Sequence, residues 1–283
     1  MSQTSEPSLK PGLYIVATPI GNLGDITIRA AETLRGVAAV ACEDTRVTGR
    51  LLNHLGAKVR MIRYDDHANE RAREGILALA AESAVALVSD AGTPLISDPG
   101  FRLVREARER GIAVTSLPGP SALIVGLTLA GLPTDRFVFA GFLPAKAKAR
   151  SEALEEFASV RATLIFYETG PRLVASLEAI GEVLPGREVA VARELTKLFE
   201  ECQTGSAAEL AEHYRAHPAR GEIVLLVGPQ LDSGIALDAA EIDRLLVSAL
   251  ESAKASQAAG EIARMHGLDR KMLYARALEL LAK

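Results

Sequence analysis

Residues 13–34 read LYIVATPIGNLGDITIRAAETL. The first six favour a strand, TPIGNLGD (18–25) concentrates turn formers, and from Ile26 onward apolar positions recur at helical spacing. A strand that feeds a helix through a glycine-rich turn is the building unit of an α/β fold. The unit repeats. Further strands are predicted at 37–42, 59–62, 84–89 and 112–116, and helices at 26–35, 46–55, 68–82 and 100–110, which implies parallel strands joined by crossover helices.

LPGPSAL (117–123) then sets two prolines around a glycine, and a domain boundary is predicted there. A second set of strands follows at 136–142, 162–168, 188–192 and 222–227, with helical segments between them. Beyond Gly228, Pro229 and the polar residues 232–234 the pattern is purely helical. The expected division is an N-terminal α/β domain (1–117), a second α/β domain (118–234) and a small helical tail (235–283). A length of 283 residues suits two domains and an appendage.

With 48% apolar and 24% charged residues the composition is that of a soluble globular protein. No run approaches the roughly 18 apolar residues of a spanning helix, and the start lacks a signal-peptide pattern, so a cytoplasmic protein is expected. Cys42 and Cys202 outline neither a disulfide framework nor a metal site, and both are expected to be inert. His213 and His217 sit four apart without acidic or cysteine partners, so no metal is expected. The net charge of −4 excludes a broadly basic nucleic-acid binder but leaves room for local patches.

Several stretches carry candidate chemistry. In TPIGNLGD the glycines Gly21 and Gly24 fit neither a dinucleotide fingerprint nor a P-loop, so the turn either brings backbone donors to another ligand or merely shapes itself, with Asp25 capping the next helix. CEDTR (42–46) places Glu43, Asp44 and Arg46 at the carboxyl edge of a sheet, where open α/β folds hold ligands; the alternative is a helix cap with solvated neighbours. VSDAGTPLISDPG (88–100) is the most unusual stretch, offering backbone groups and the carboxylates of Asp90 or Asp98 to an amine, a hydroxyl or a sulfonium. Lys146, Lys148 and Arg150 alternate ahead of a helix and could meet a phosphate backbone. The segment 254–283 holds six basic residues against three acidic, and reads either as a helix-turn-helix-like element that touches nucleic acid or as a helical pair packed on protein.

Taken together, these segments resemble the tetrapyrrole methylase superfamily, and within it the branch that acts on ribosomal RNA. The motifs that carry the resemblance are the opening stretch from Leu13, ACEDTRVTGRLL from Ala41, ALVSDAGTPLISDPGFRLV from Ala86, PGPSAL from Pro118, AGFLP, FYETGPRL from Phe166 and GEIVLLVGP, in order along both lobes. The resemblance implies two α/β lobes with S-adenosyl-L-methionine in the cleft between them, a homodimer, and 16S rRNA within the small ribosomal subunit as partner, with neither membrane nor DNA involved. Cofactor contacts are implied for Ser89, Asp90, Ala91, Gly92, Thr93, Pro94, Ser121, Ala122, Tyr167 and Glu168, with backbone near Ala192 and Val227 adding to the pocket. The order Asp90-Ala91-Gly92-Thr93-Pro94 departs from the family's Gly-x-Gly-Asp-Pro.

The reaction so implied is 2′-O-methylation of a cytidine ribose in the decoding region. A carboxylate is the natural base or hydroxyl orienter, and Asp25, Glu43, Asp44 and Asp98 are the candidates. Arg46, Lys146, Lys148 and Arg150 are candidates for rRNA phosphates. Two other functions suit the same chain: methylation of a tetrapyrrole at carbon, and rRNA binding without catalysis by an assembly factor.

Overall fold

The computed structural model describes residues 9–65, 70–230, 239–250, 253–266 and 269–281. The expected start of a helix at Ala68, the link at residues 232–234, the break at Gly267 and the terminal Lys283 lie outside them.

The first lobe is a five-stranded sheet of β1 (Gly12–Val16), β2 (Ala39–Cys42), β3 (Arg60–Arg63), β4 (Ala84–Leu87) and β5 (Val114–Leu117). All five run parallel in the order β3-β2-β4-β1-β5. β2 and β4, AVAC and AVAL, are buried at every position, as parallel strands covered on both faces must be. On one face α1 (Ile28–Gly36) and α2 (Thr45–His54) bring Leu34, Leu51 and Leu52 against Val16 and Val40. On the other, α3 (Glu70–Glu82) and α4 (Phe101–Glu109) bring Ile76, Leu77 and Leu103 against Leu13 and Val85. Each such side chain contributes roughly 1.5–3 kcal/mol by leaving water. The cap of α1 is Thr27, whose side chain accepts from the Ala30 N–H at 3.1 Å, rather than Asp25, which sits in a preceding 3-10 turn.

The second sheet departs from the parallel expectation. It orders β6 (Phe137–Phe142), β7 (Thr163–Thr169), β10 (Glu222–Val227), β8 (Glu188–Arg193) and β9 (Glu201–Ser206) side by side, and only β6 and β7 are parallel. The unexpected strand is β9, whose sequence ECQTGS has almost none of the β-branched residues that mark a strand. It lies at the sheet edge and pairs with β8 alone, so cross-strand hydrogen bonds hold it where its composition does not.

Helix α5 (Ala122–Leu129) follows the proline-rich turn and lies on this sheet, apolar almost all round. It approaches closely because Gly126 has no side chain; a Cβ there would stand 2.8 Å from Val224 Cγ1. Helices α6 (Ala147–Glu155), α7 (Gly170–Val183) and α8 (Ala207–Ala216) complete the lobe around Phe166, Leu173, Leu177 and Leu225.

The tail forms three helices, α9 (Ala239–Leu250), α10 (Ala255–His266) and α11 (Arg270–Leu281), with their own small core of Leu246, Ala259, Ile262, Leu273 and Ala277. Arg276 spans it with a two-pronged contact to Asp243 at 2.7 and 2.6 Å, so one of the six basic tail residues is spent inside the unit. Among the described residues no helix is long and apolar enough to cross a membrane.

Two glycines test this packing in opposite directions. A Cβ on Gly170 would lie 2.1 Å from the Ala219 carbonyl oxygen, whereas one on Gly75, within α3, meets nothing within 4 Å. Gly170→Ala is expected to lower stability by about 3 kcal/mol, and Gly75→Ala to raise it by about 0.5–1 kcal/mol. Urea unfolding midpoints measured side by side check both.

Candidate active site

The chain leaves β1 toward β2 on one side and leaves β4 toward β5 on the other, although β1 and β4 are neighbours. Such a reversal opens a crevice at the carboxyl ends of the strands. The second lobe faces it with the ends of β7 and β8 and, because β10 is antiparallel to both, with the start of β10. The cleft between the lobes is lined from the first side by Ile20, Asp90, Ala91, Gly92, Thr93, Ile96, Ser97 and Asp98, and from the second by Ser121, Ala122, Phe142, Tyr167, Glu168, Glu194, Leu195, Lys197, Glu222, Ile223 and Val224.

A short backbone ladder fixes its floor. Thr18 and Gly92 exchange both hydrogen bonds, N–H to carbonyl, at 2.9 and 3.0 Å. The buried Thr18 hydroxyl donates to the Ser89 carbonyl at 3.1 Å, and the Thr93 hydroxyl donates to the Pro120 carbonyl at 3.0 Å. Gly92 takes φ +79°, a conformation open to glycine at no steric cost. Across the cleft, the Asn22 N–H donates to the hydroxyl of Thr196 on the opposite lobe at 3.1 Å, so TPIGNLGD joins the lobes. Among the described residues the only non-glycine residues at positive φ are Leu95 (+74°), Ser97 (+60°), Glu194 (+50°) and Thr196 (+64°). All four lie in the two loops that border the cleft, and each stores of order 1–3 kcal/mol of strain.

Five carboxylates line the cleft against one cation, Lys197, whose amine pairs with Glu194 at 3.1 Å. Burial raises the Asp98 carboxyl to about 6, the like charges of Glu43, Asp90 and Glu222 push it the same way, and a hydrogen bond from Ser89 opposes them. Asp98 is therefore a proton acceptor poised near neutrality, in a cleft whose charge favours a cationic ligand. Ile20, Leu195 and Val224 offer apolar surface beside it.

The other carboxylates proposed from sequence have other surroundings. Asp44 caps α2 through the Arg46 N–H at 2.8 Å and pairs with the Arg46 guanidinium at 2.6 Å, which holds its carboxyl well below the usual range. Its own N–H donates to Asp90 at 3.1 Å, tying the EDTR loop to the cleft edge. Neither Asp44, Glu43 nor Asp25 lines the cleft; one Asp25 oxygen is buried without a hydrogen-bond partner.

Of the residues expected at a cofactor, Asp90, Ala91, Gly92, Thr93, Ser121, Ala122, Tyr167 and Glu168 line the cleft, while Ser89 and Pro94 are buried outside its lining. Glu168 is fully buried, and its carboxylate accepts from Ser176 Oγ at 2.6 Å and from the Thr169 N–H at 2.9 Å and pairs with Arg172 at 3.1 Å. That side chain holds the β7–α7 junction. Ala192 and Val227 do not line the cleft; the sheet contributes Glu194 to Lys197 and Glu222 to Val224 in their place.

Among the cations, Arg46 is exposed but paired, Lys146 and Lys148 are exposed at the start of α6, and Arg150 is 7% exposed with its guanidinium donating to the Ala145 carbonyl at 3.3 Å. Burial takes Arg150 out of reach of a phosphate. Of the residues that sequence reasoning missed, Phe142, Glu194, Lys197 and Glu222 stand at or just beyond strand ends next to turn or charge signals such as RELTK (193–197), and Ser97 lies within the turn-rich loop after β4. Among the described residues no group of three or more His, Cys, Asp or Glu could hold a metal ion.

The raised Asp98 carboxyl carries a sign for stability. Its folded form binds a proton between about pH 4 and 6, where the unfolded form has already lost it, so folding stability falls as pH rises through that window. Asp98→Asn is expected to melt higher than the parent at pH 7 and to lose that advantage as pH approaches 4. Melting temperatures across the range test this.

The family model described as Tetrapyrrole (Corrin/Porphyrin) Methylases matches residues 12–211, and that described as RsmI C-terminal HTH domain matches residues 236–281. A protein of Erythrobacter litoralis named ribosomal RNA small subunit methyltransferase I is 64% identical over 277 residues, 98% of each chain. A protein of the same name from Mesorhizobium japonicum is 52% identical over 285 residues, 99% of this chain and 96% of that one. The solved uroporphyrin-III-C-methyltransferase from Thermus thermophilus superposes with a TM-score of 0.55 at 21% identity, covering 77% of this chain and 94% of that one, which is a likeness of fold. Carrying the family's two lobes and the cleft between them, the chain belongs to the tetrapyrrole methylase family.

Proposed function

We propose that this protein transfers a methyl group from S-adenosyl-L-methionine to the ribose 2′-hydroxyl of a cytidine in the decoding region of 16S rRNA, acting on the small ribosomal subunit. The observation that carries the reading is Asp98: a carboxyl raised to about 6, inside an acidic, strained cleft between the lobes. The relatives' shared name supplies the RNA. The reading makes the protein a cytoplasmic homodimer.

The residues present suit the cofactor. A sulfonium and an ammonium group are cations, and Asp90, Asp98 and Glu222 supply a field that attracts them. The backbone of Asp90, Ala91, Gly92 and Thr93 offers polar groups to a nucleoside; at Gly92 a Cβ would press on Ile20 Cγ2 at 3.3 Å, so only glycine keeps this edge open. Ser121 and Ala122 at the start of α5, with Tyr167, add a second wall. When bound, S-adenosylmethionine supplies a methyl group on an electrophilic cationic sulfur.

The chain's own work is alignment and proton removal. A ribose hydroxyl is too weak an acid to ionise unaided near neutral pH; in this reading the Asp98 carboxylate takes its proton as the oxygen gains the methyl group and the sulfur leaves as the neutral thioether. Burial, with the like charges of Glu43, Asp90 and Glu222, keeps Asp98 basic. Glu168, locked by Arg172 and Ser176, holds the β7 end that presents Tyr167. Lys146 and Lys148 are the exposed cations for phosphates on the RNA side.

Transfer of a labelled methyl group from S-adenosylmethionine to unmethylated small subunits, to naked 16S rRNA and to a tetrapyrrole precursor tests the reading, with nuclease mapping of the product. Label at one cytidine ribose is the expected result. Label on the tetrapyrrole, or subunit binding without transfer, would replace it with one of the other two functions.

A further inference from the structure

Phe142 is unusual in two respects. It is 51% exposed although it lines the cleft, and it reaches the cleft only through an irregularity in β6. β6 pairs with β7 in register from Phe137 opposite Thr163 to Phe139 opposite Ile165, and then the register shifts so that Phe142 stands opposite Tyr167. Three steps on β6 thus match two on β7, the signature of a bulge.

In an unbroken strand positions 139 and 142 would face opposite sides of the sheet. The extra residue brings both to the side that carries Tyr167, whose ring each of them meets. The bulge is held by Gly141 at φ +68°, where any other residue would be strained. The result is an aromatic trio: Phe139 and Phe142 meet the Tyr167 ring edge-on, with centroids 4.8 and 5.7 Å away. Phe139 and Tyr167 are packed into the core, whereas the Phe142 ring keeps half of its surface open. A sequence that breaks its own strand ladder to aim a solvent-facing phenyl group into an acidic cleft has built a platform for something flat and uncharged.

Two planar rings enter the proposed reaction, the adenine of the cofactor and the base of the target nucleotide. The position favours the second. Gly141 faces Ser97, the neighbour of Asp98, with its Cβ direction 3.5 Å from the Ser97 hydroxyl, so the Phe142 segment borders the Asp98 side of the cleft, where the proposed reaction brings the target ribose. It also leads, within four residues, to the exposed Lys146. The geometry points to Phe142 as the stacking surface for the target nucleobase, drawn out of its RNA stack so that the 2′-hydroxyl reaches Asp98. This rests on the proposed rRNA methylation. Enzymes that act on a nucleotide inside folded nucleic acid commonly extrude it and hold the base against an aromatic ring. Phe142 acts here by positioning and takes no part in proton transfer.

The test compares wild-type protein with Phe142→Ala, Phe142→Leu and Phe142→Tyr, measuring the affinity for S-adenosylhomocysteine by calorimetry and kcat/KM for methyl transfer to unmethylated small subunits. Phe142→Ala and Phe142→Leu are expected to lower kcat/KM about tenfold, the range for loss of one base–aromatic stack, with cofactor affinity within twofold of wild type. Phe142→Tyr is expected to restore transfer, since a ring is required and bulk alone does not serve. The unchanged cofactor affinity also shows that the variants fold. A parallel loss of cofactor affinity would assign the ring to adenine and overturn the inference, as would full activity of Phe142→Leu. If wild-type protein transfers no methyl group to subunits, the proposed function itself fails and takes the inference with it.

Discussion

Everything at the cleft depends on the pair of backbone hydrogen bonds between Thr18 and Gly92. They join the exits of β1 and β4, the two neighbouring strands from which the chain departs in opposite directions. Without that clamp the loop through Asp90 and Asp98 would have no fixed relation to the TPIGNLGD turn, and the turn none to the opposite lobe, which it meets through Asn22 and Thr196. The clamp needs a backbone at position 92 with φ +79° and a buried hydroxyl at position 18 that also holds the Ser89 carbonyl. Both requirements are local: a glycine, which strands and helices disfavour, meets the first, and a threonine just past the end of β1 meets the second.

The clamp lets the two loops carry unfavourable conformations. Strain at Leu95, Ser97, Glu194 and Thr196, and like charges at Glu43, Asp90, Asp98 and Glu222, all work against folding in the same small region. Surrounding structure offsets them: two helix-covered sheet faces on the first lobe, and the Glu168–Arg172–Ser176 cluster on the second. A site that concentrates destabilising features is one where stability has been traded for reactivity. Charge is the more telling of the two, because it bears on the proposed chemistry: an acidic cleft suits a cationic donor, and one carboxyl near 6 suits proton transfer at neutral pH.

Much of the fold was legible in the sequence. The central strands of the first lobe stand out because parallel strands covered on both faces are apolar throughout, as AVAC and AVAL illustrate. Turn-rich stretches located the cleft loops of the first lobe, since the tight turns there need residues such as Gly92; the RELTK loop opposite, with Glu194 and Thr196 at positive φ, carries no such signal. What stayed hidden depends on which groups the folded chain brings into contact, near or far in sequence. ECQTGS becomes a strand only because β8 lies beside it. Asp44 and Asp98 are indistinguishable as letters, yet one is held ionised by Arg46 and the other is pushed toward neutrality by burial and by Glu43 and Glu222 from both lobes. Arg150 follows two lysines in the same alternating pattern, yet its guanidinium turns inward to a carbonyl. Phe142 escaped notice because one extra residue reverses the face it occupies.

The central claim is that Asp98 accepts the proton in a cleft that holds a cationic methyl donor. The rate of single-turnover methyl transfer to small subunits, followed from pH 5 to 8 with saturating donor for wild-type protein and Asp98→Asn, addresses it most directly. The account predicts a wild-type rate that rises with pH with its midpoint at about 6, and a variant at least about a hundredfold slower in which that rise is gone. A variant that keeps both the rate and the rise would contradict it.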